Sequence, residues 1–273
     1  MWRVLRWFVW VLILFLLPVV AFGSSKVLIV PVQGAIGPVT QDLVVRGLEQ
    51  ARDEGAALLV LEMNTPGGLD TSMREIIRAI LASPVPVATY VYPSGSRAAS
   101  AGTYILYASH IAAMTPATNL GSATPVAIGG LPGMPGSDPE GAQDSGVDSM
   151  EKKVVNDAAA YIRGLAVLRG RNAEWAEAAV REAVNLTATE ALDQGVIEVI
   201  AANTDELLAQ INGKVVEMEY GERELVLDDP VIERIEPNWR SELLAVITDP
   251  NVALLLMMVG IYGLFIEFSN PGF

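Results

Sequence analysis

The sequence predicts an α/β domain built on a parallel β-sheet and held between two apolar chain ends. Three observations predict it. Short β-branched runs alternate with amphipathic helical segments between Lys26 and Met114, the pattern of βαβ units. At 273 residues the chain has room for one sizeable α/β domain. The mean hydropathy of +0.37 is high for a soluble chain, and the two ends account for much of it.

The elements follow in order. Arg3 and Arg6 precede an apolar run from Phe8 to Phe22, and Ala21-Phe22-Gly23 places small residues before Ser24 and Ser25. Residues 1–23 are therefore expected to be a signal peptide or a retained N-terminal anchor. The positive end stays in the cytoplasm and the remainder is exported, to the periplasmic or extracellular side. Lys26–Val32 reads as a strand. Thr40 is placed to cap a helix running to about Gly55, with Leu43, Val44, Leu48 and Ala51 on one face. Leu58–Met63 reads as a buried strand, Pro66-Gly67-Gly68 as a tight turn and Asp70–Leu81 as a helix. Val85–Tyr92 is the next strand, Arg97–Ser109 a helix of small residues, and Ile111–Met114 a short strand. Thr124–Ser149 is rich in Gly, Pro, Ser and Asp without periodicity, and a loop of that length in a compact domain is usually functional or disordered. Helices resume at Met150–Arg169, Ala173–Glu182 and Thr189–Gln194. Val215–Glu219 and Glu222–Leu227 read as a hairpin around Gly221. Trp239–Ile247 reads as a helix leading into a final apolar run, Val252–Ile266. That run is expected to be a transmembrane helix, slightly short of the roughly 20 apolar residues a span needs. The organisation expected is thus 1–23 leader or anchor, 24–236 folded domain, and 237–273 a juxtamembrane and membrane segment, the start of a longer membrane region.

Composition excludes several functions. The net charge of −14 is the wrong sign for a nucleic-acid partner. The chain has no cysteine, which removes thiol catalysis and thiolate metal sites. Its single histidine, His110, is too few for a multi-histidine zinc site, and no metal or other cofactor is expected.

Three features carry chemistry. Asn64-Thr65-Pro66-Gly67-Gly68-Leu69 follows a strand and precedes a helix, so paired glycines there let backbone N–H groups face a ligand, as an oxyanion hole requires. Gly95–Thr103 also follows a strand and opens a helix. Small residues flank Ser100, which would let a carbonyl approach its hydroxyl, with the Ala101 N–H as a second donor. A serine nucleophile needs a base. If the intervening stretch is helical, His110 lies about 15 Å along the axis from Ser100, which argues against a Ser-His pair. Lysine is the alternative. There are only four (Lys26, Lys152, Lys153 and Lys214) against fourteen arginines, and a lysine stripped of water accepts a proton where arginine cannot. Lys152 and Lys153 sit together at the head of the helix after the long loop; the alternative reading is a solvated pair on a helix end.

At these residues the sequence resembles a known family. Asn64–Asp70, Tyr92–Ile105, Lys153-Val-Val-Asn156 with Tyr161-Ile162, and Leu186–Ile197 together resemble the N-terminal domain of NfeD-type membrane proteases. These are ClpP-class serine proteases often paired with stomatin-like membrane proteins. The resemblance implies a ClpP/crotonase-like fold, a spiral of repeated ββα units. It implies Ser100 as nucleophile and Lys153 as general base, with Lys152 the fallback, and Gly68 and Ala101 as oxyanion donors. It implies a substrate groove bordered by Asp70–Ala82 and the loop near Thr124–Ser149, with Gly67, Leu69, Asp70 and Thr124 as its residues. It further implies cleavage of apolar stretches, a stomatin-like substrate and a homodimer. Two rivals share part of the pattern: a crotonase-type acyl-CoA enzyme, disfavoured by the acidic balance, and a non-enzymatic partner of a stomatin-like scaffold.

Overall fold

The computed structural model describes residues 25–126, 145–236, 243 and 250–269. The expected leader or anchor, most of the Thr124–Ser149 loop and nearly all of the Trp239–Ile247 helix lie outside the described residues.

Strands β1 (Lys26–Gln33), β2 (Leu58–Asn64), β3 (Val87–Val91), β5 (Ile111–Met114), β8 (Val199–Ile200) and β11 (Val231–Arg234) form a six-stranded sheet in the order β11-β1-β2-β3-β5-β8. Every pairing in it is parallel. Leu58 to Met63 of β2 are all buried, as a central strand covered on both faces must be. Pro31 lies past the last pair between β1 and β11, Ile29 with Arg234, so its missing N–H costs no ladder bond on that side.

Alternate residues serve the two faces. Leu28, Val30 and Val32 of β1 join the larger core, beneath α1 (Pro38–Asp53), α2 (Asp70–Leu81), α3 (Ala101–Ala108), α4 (Ser145–Leu168) and α5 (Ala173–Arg181). Val27 and Ile29 join the smaller core on the other face. That core is closed by Leu207, Leu208 and Ile211 of α7 (Thr204–Ile211) and by Val216 of the hairpin β9 (Val215–Met218) and β10 (Gly221–Glu224). A second sheet joins β4 (Arg97–Ala99), β6 (Asn119–Gly121) and β7 (Asn185–Thr187), and α6 (Ala188–Asp193) follows β7. In β3–β4–α3 and again in β5–β6–α4, one strand enters the large sheet, the next enters the small sheet, and a helix follows.

Two polar anchors lock this frame. The Arg171 side chain is 2% exposed; it forms an ion pair with Glu198 at 2.6 Å and donates to the Leu106 and Tyr107 carbonyls at the end of α3. Glu198 in turn accepts from the Ala112 N–H, tying α3 to β5. Buried Glu62 pairs with Arg234 at 2.7 Å, fastening β2 near the edge strand β11.

Two expectations are corrected. Helix α1 starts at Pro38, with Gly37 at the cap; Thr40 instead donates its hydroxyl to the Ala35 carbonyl. The helix expected over Arg97–Ser109 is a strand as far as Ala99, because Arg97–Ala99 pairs with Asn119–Gly121, and helix begins only at Ala101. Helix α8 (Pro250–Ser269) has 20 residues, and its large apolar side chains from Leu254 onward are exposed. Among the described residues no helix is long and apolar enough to cross a membrane. The uninterrupted apolar stretch, residues 252–266, rises only about 22 Å, against a hydrocarbon core of roughly 30 Å, before Glu267 breaks it.

Candidate functional site

The loops that leave the carboxyl ends of β2 and β3 meet, as ligand sites in parallel sheets commonly do. Thr65 bridges to Ala98, its N–H donating to the Arg97 carbonyl while the Ala99 N–H donates back to Thr65. This clamps the Gly67-Gly68 turn against β4, immediately before Ser100.

Ser100 joins β4 to α3 with φ 51° and ψ −117°, a conformation that costs a non-glycine residue roughly 1–3 kcal/mol. Such a sharp strand-to-helix turn thrusts a hydroxyl out of the backbone's shelter. The strain is held by the Ser100 N–H donating to the Gly121 carbonyl and by Thr103, whose hydroxyl reaches the Ala98 and Gly121 carbonyls. Both glycines before it are sterically required. A Cβ on Gly67, whose φ is +110°, would sit 2.6 Å from the Ser100 Cβ; one on Gly68 would sit 2.0 Å from the Ile36 carbonyl oxygen.

The amides around Ser100 are used unequally. Gly67 donates to the Thr65 hydroxyl, Leu69 to the Ile36 carbonyl, and Ser100 to Gly121. Among the described residues, no acceptor inside the protein takes the N–H of Gly68 or of Ala101. Both residues line a groove of about 270 Å³ with Leu69, Asp70, Met73, Arg74, Ser100, Tyr104, Ala123, Pro125, Val126 and Ala158. A hydroxyl on a strained turn beside two unused N–H groups, one at a helix start, is a constellation for attack on a carbonyl and for holding the resulting oxyanion.

The rest of the site departs from a finished dyad. Thr124 lies between groove residues, but its hydroxyl donates to the Val180 carbonyl at 2.6 Å. Lys153 is exposed on α4, and so is Lys152. Ala158, five residues on from Lys153, faces the groove; five residues turn a helix by about 140° beyond a full turn, which carries Lys153 off the buried stripe. The burial expected of a lysine base is therefore not present in this arrangement. His110 is partly buried away from the groove, its Nδ1 accepting from the Val87 N–H. Burial, with Arg169 and Arg171 nearby, pushes it down to about 3, so it is neutral and structural. No cluster of His, Asp and Glu able to hold a metal occurs among the described residues.

Comparison with known proteins decides the family. Residues 26–221 match the family described as NfeD1b, N-terminal domain. The chain belongs to that family. It is similar to the membrane-bound protease PH1510 of Pyrococcus horikoshii, with 37% identity over 264 residues, 96% of this chain and 57% of that one. It is similar to the membrane protein NfeD1b of Bacillus subtilis, with 26% identity over 251 residues, 91% of this chain and 52% of that one. The chain thus spans about half the length of the curated relatives it matches. Among solved structures, the fold is similar to a lysine-to-alanine variant of the 1510-N membrane-bound stomatin-specific protease in complex with a substrate peptide (TM-score 0.71, 33% identity, 83% of this chain, 99% of that one). A serine-to-alanine variant of the same protease gives a TM-score of 0.69 at 34% identity, over 79% of this chain and 99% of that one.

In this NfeD1b-type domain, Arg74 lies within the expected groove border, residues 70–82, but was not singled out there, and Tyr104 was missed as a groove residue. Tyr104 lay within a helix whose register was misplaced by the unrecognised strand β4. The one available signal was spacing: Tyr104 stands one turn beyond Ser100, and Arg74 one turn beyond Asp70.

Proposed function

We propose that the chain is the catalytic part of a membrane-associated serine endopeptidase with a Ser100–Lys153 dyad, acting on apolar segments of a stomatin-like protein. The observation that carries the reading is the strained turn at Ser100 beside the unused N–H groups of Gly68 and Ala101. The lysine and serine variants made of the similar 1510-N protease, one with a substrate peptide bound, support it. The ββα repetition supports a ClpP/crotonase-like spiral.

In the mechanism, Lys153, withdrawn from water, takes the proton from Ser100 Oγ as it attacks a peptide carbonyl. The Gly68 and Ala101 N–H groups hold the oxyanion. The protonated amine then serves the leaving group, and water activated by the same lysine hydrolyses the acyl-enzyme. Lys153 reaches the site by adjustment of the first turns of α4, where residues 152–154 are exposed and not packed into the core. Exposed Leu69 and Val126 at the groove favour apolar side chains in the substrate.

Association with the membrane is through the apolar run at residues 8–22 and the exposed apolar face of α8, with the folded domain on the extracytoplasmic side. The working unit is a homodimer. The test is cleavage of an apolar peptide drawn from a stomatin-like sequence by the full chain. Turnover that disappears in Ser100→Ala supports the assignment; turnover that persists in it refutes it.

A further inference from the structure

We propose that Arg74 is a positioning residue: a clasp centred on its guanidinium fixes the spacing between the helix that begins at Ser100 and the helix that carries Lys153. The inference rests on the dyad reading above.

Arg74 stands on α2 in the groove wall. Its Nε is 2.9 Å from Asp70 Oδ2 and 3.1 Å from Oδ1, on its own helix. Its Nη2 crosses to α4 and donates to Asp157 Oδ2 at 2.7 Å. Asp157 is one helical turn after Lys153. The guanidinium carbon also lies 4.5 Å from the centroid of the Tyr161 ring, on the next turn of α4. Tyr161 stacks on Tyr104, with centroids 6.2 Å apart and planes 24° apart. Tyr104 is one turn after Ser100 on α3, and its hydroxyl donates to the Ala123 carbonyl in the opposite groove wall. One connected stack, Arg74–Tyr161–Tyr104, therefore touches both helices of the dyad one or two turns from the reacting groups.

Only arginine meets both demands, because a planar fork binds two carboxylates at its edge while its face lies on a ring. The grip on α4 is reinforced from the far side, where Arg181 Nη1 donates to Asn156 Oδ1 at 2.9 Å. Residues 156 and 157 are thus held on two sides, immediately beyond the exposed turn that bears Lys153. That gives the amine a fixed pivot from which to reach Ser100. The carboxylate sites are 65% and 69% exposed, so the ion pairs add little to stability. The clasp is consequently expected to show in turnover rather than in folding.

The test compares kcat, KM and Tm of the full chain with its Arg74→Met, Arg74→Lys, Asp157→Asn, Arg74→Met/Asp157→Asn and Lys153→Ala variants on one apolar peptide. The clasp predicts that Arg74→Met lowers kcat about tenfold or more with KM within about twofold, since small misplacements of reacting groups cost that much. Arg74→Lys recovers only part of the loss, and the double variant loses no more than Arg74→Met alone, because both changes break one linkage. Wild-type kcat in Arg74→Met, a change confined to KM, or a kcat loss matched by a collapse in Tm overturns it. Should Arg74→Met fail to fold, Asp157→Asn at its exposed site decides: wild-type kcat there also overturns the clasp. Wild-type turnover in Lys153→Ala defeats the dyad itself, whereas an inactive Lys153→Ala beside an unaffected Arg74→Met defeats the clasp alone.

Discussion

His110 should make the fold acid-labile without taking part in catalysis. The imidazole is partly buried, accepts from the Val87 N–H through Nδ1, and lies close to Arg169 and Arg171. Burial first, then those two cations, lower it from 6.5 to about 3. The folded protein therefore holds the ring neutral, while the unfolded chain protonates it below pH 6.5. Between pH 6.5 and about 3 the unfolded state binds more protons, so stability falls as the pH is lowered and this contribution levels off below about 3. At pH 5 the loss is about 2 kcal/mol, from 1.5 units at 1.36 kcal/mol per unit. His110→Asn keeps an acceptor near the Nδ1 position and removes the titration. Urea unfolding of both proteins at pH 7 and pH 5 should therefore show the stability gap moving in favour of the variant by about 2 kcal/mol. Peptide cleavage at pH 7 should persist in the variant. A gap that does not change with pH would refute the neutral imidazole, and loss of cleavage in a folded variant would return histidine to the mechanism.

Other outcomes follow from the same geometry. Ser100→Gly should abolish cleavage yet leave the fold as stable as before or up to about 1 kcal/mol more so, by releasing the positive φ; a marked drop in Tm would show the turn to be unstrained. Gly68→Ala drives a Cβ into the Ile36 carbonyl and displaces the loop, so kcat should fall about 10²-fold or more with the sheet intact by circular dichroism. Arg171→Met leaves two buried carbonyls of α3 without their donor, while the freed Glu198 carboxylate stays open to water, and should cost about 1–3 kcal/mol in chemical denaturation.

How much of this was legible beforehand depends on the kind of signal involved. Asp70–Leu81 and Ile111–Met114 fall where periodicity put them, because each is a long amphipathic or continuously apolar run with turn residues at its ends. The hairpin around Gly221 was also readable, since its strands pair locally. Strands of two or three residues, β4, β6, β7 and β8, were invisible. Each gains its partners from distant sequence, as Arg97–Ala99 does from Asn119–Gly121, and carries no periodicity of its own. β11 was missed for a different reason: all four residues are exposed, so the strand is defined by its backbone pairing with β1 and not by burial. Of the candidate site, Gly67, Gly68, Leu69, Asp70, Ser100 and Ala101 do meet, because two loops leave neighbouring parallel strands at the same edge. Lys153 was placed at the site by resemblance and by the scarcity of lysine. Its exposure on α4 follows from helical phase, which a motif read as a string does not convey.

The most direct test is labelling of Ser100 by a serine-reactive phosphonate, with the modified residue located by mass spectrometry in the parent chain, Lys152→Ala and Lys153→Ala. A Ser100–Lys153 dyad predicts modification at Ser100 in the parent and in Lys152→Ala, and little in Lys153→Ala. Equal labelling in all three, or modification at a different serine, would contradict it.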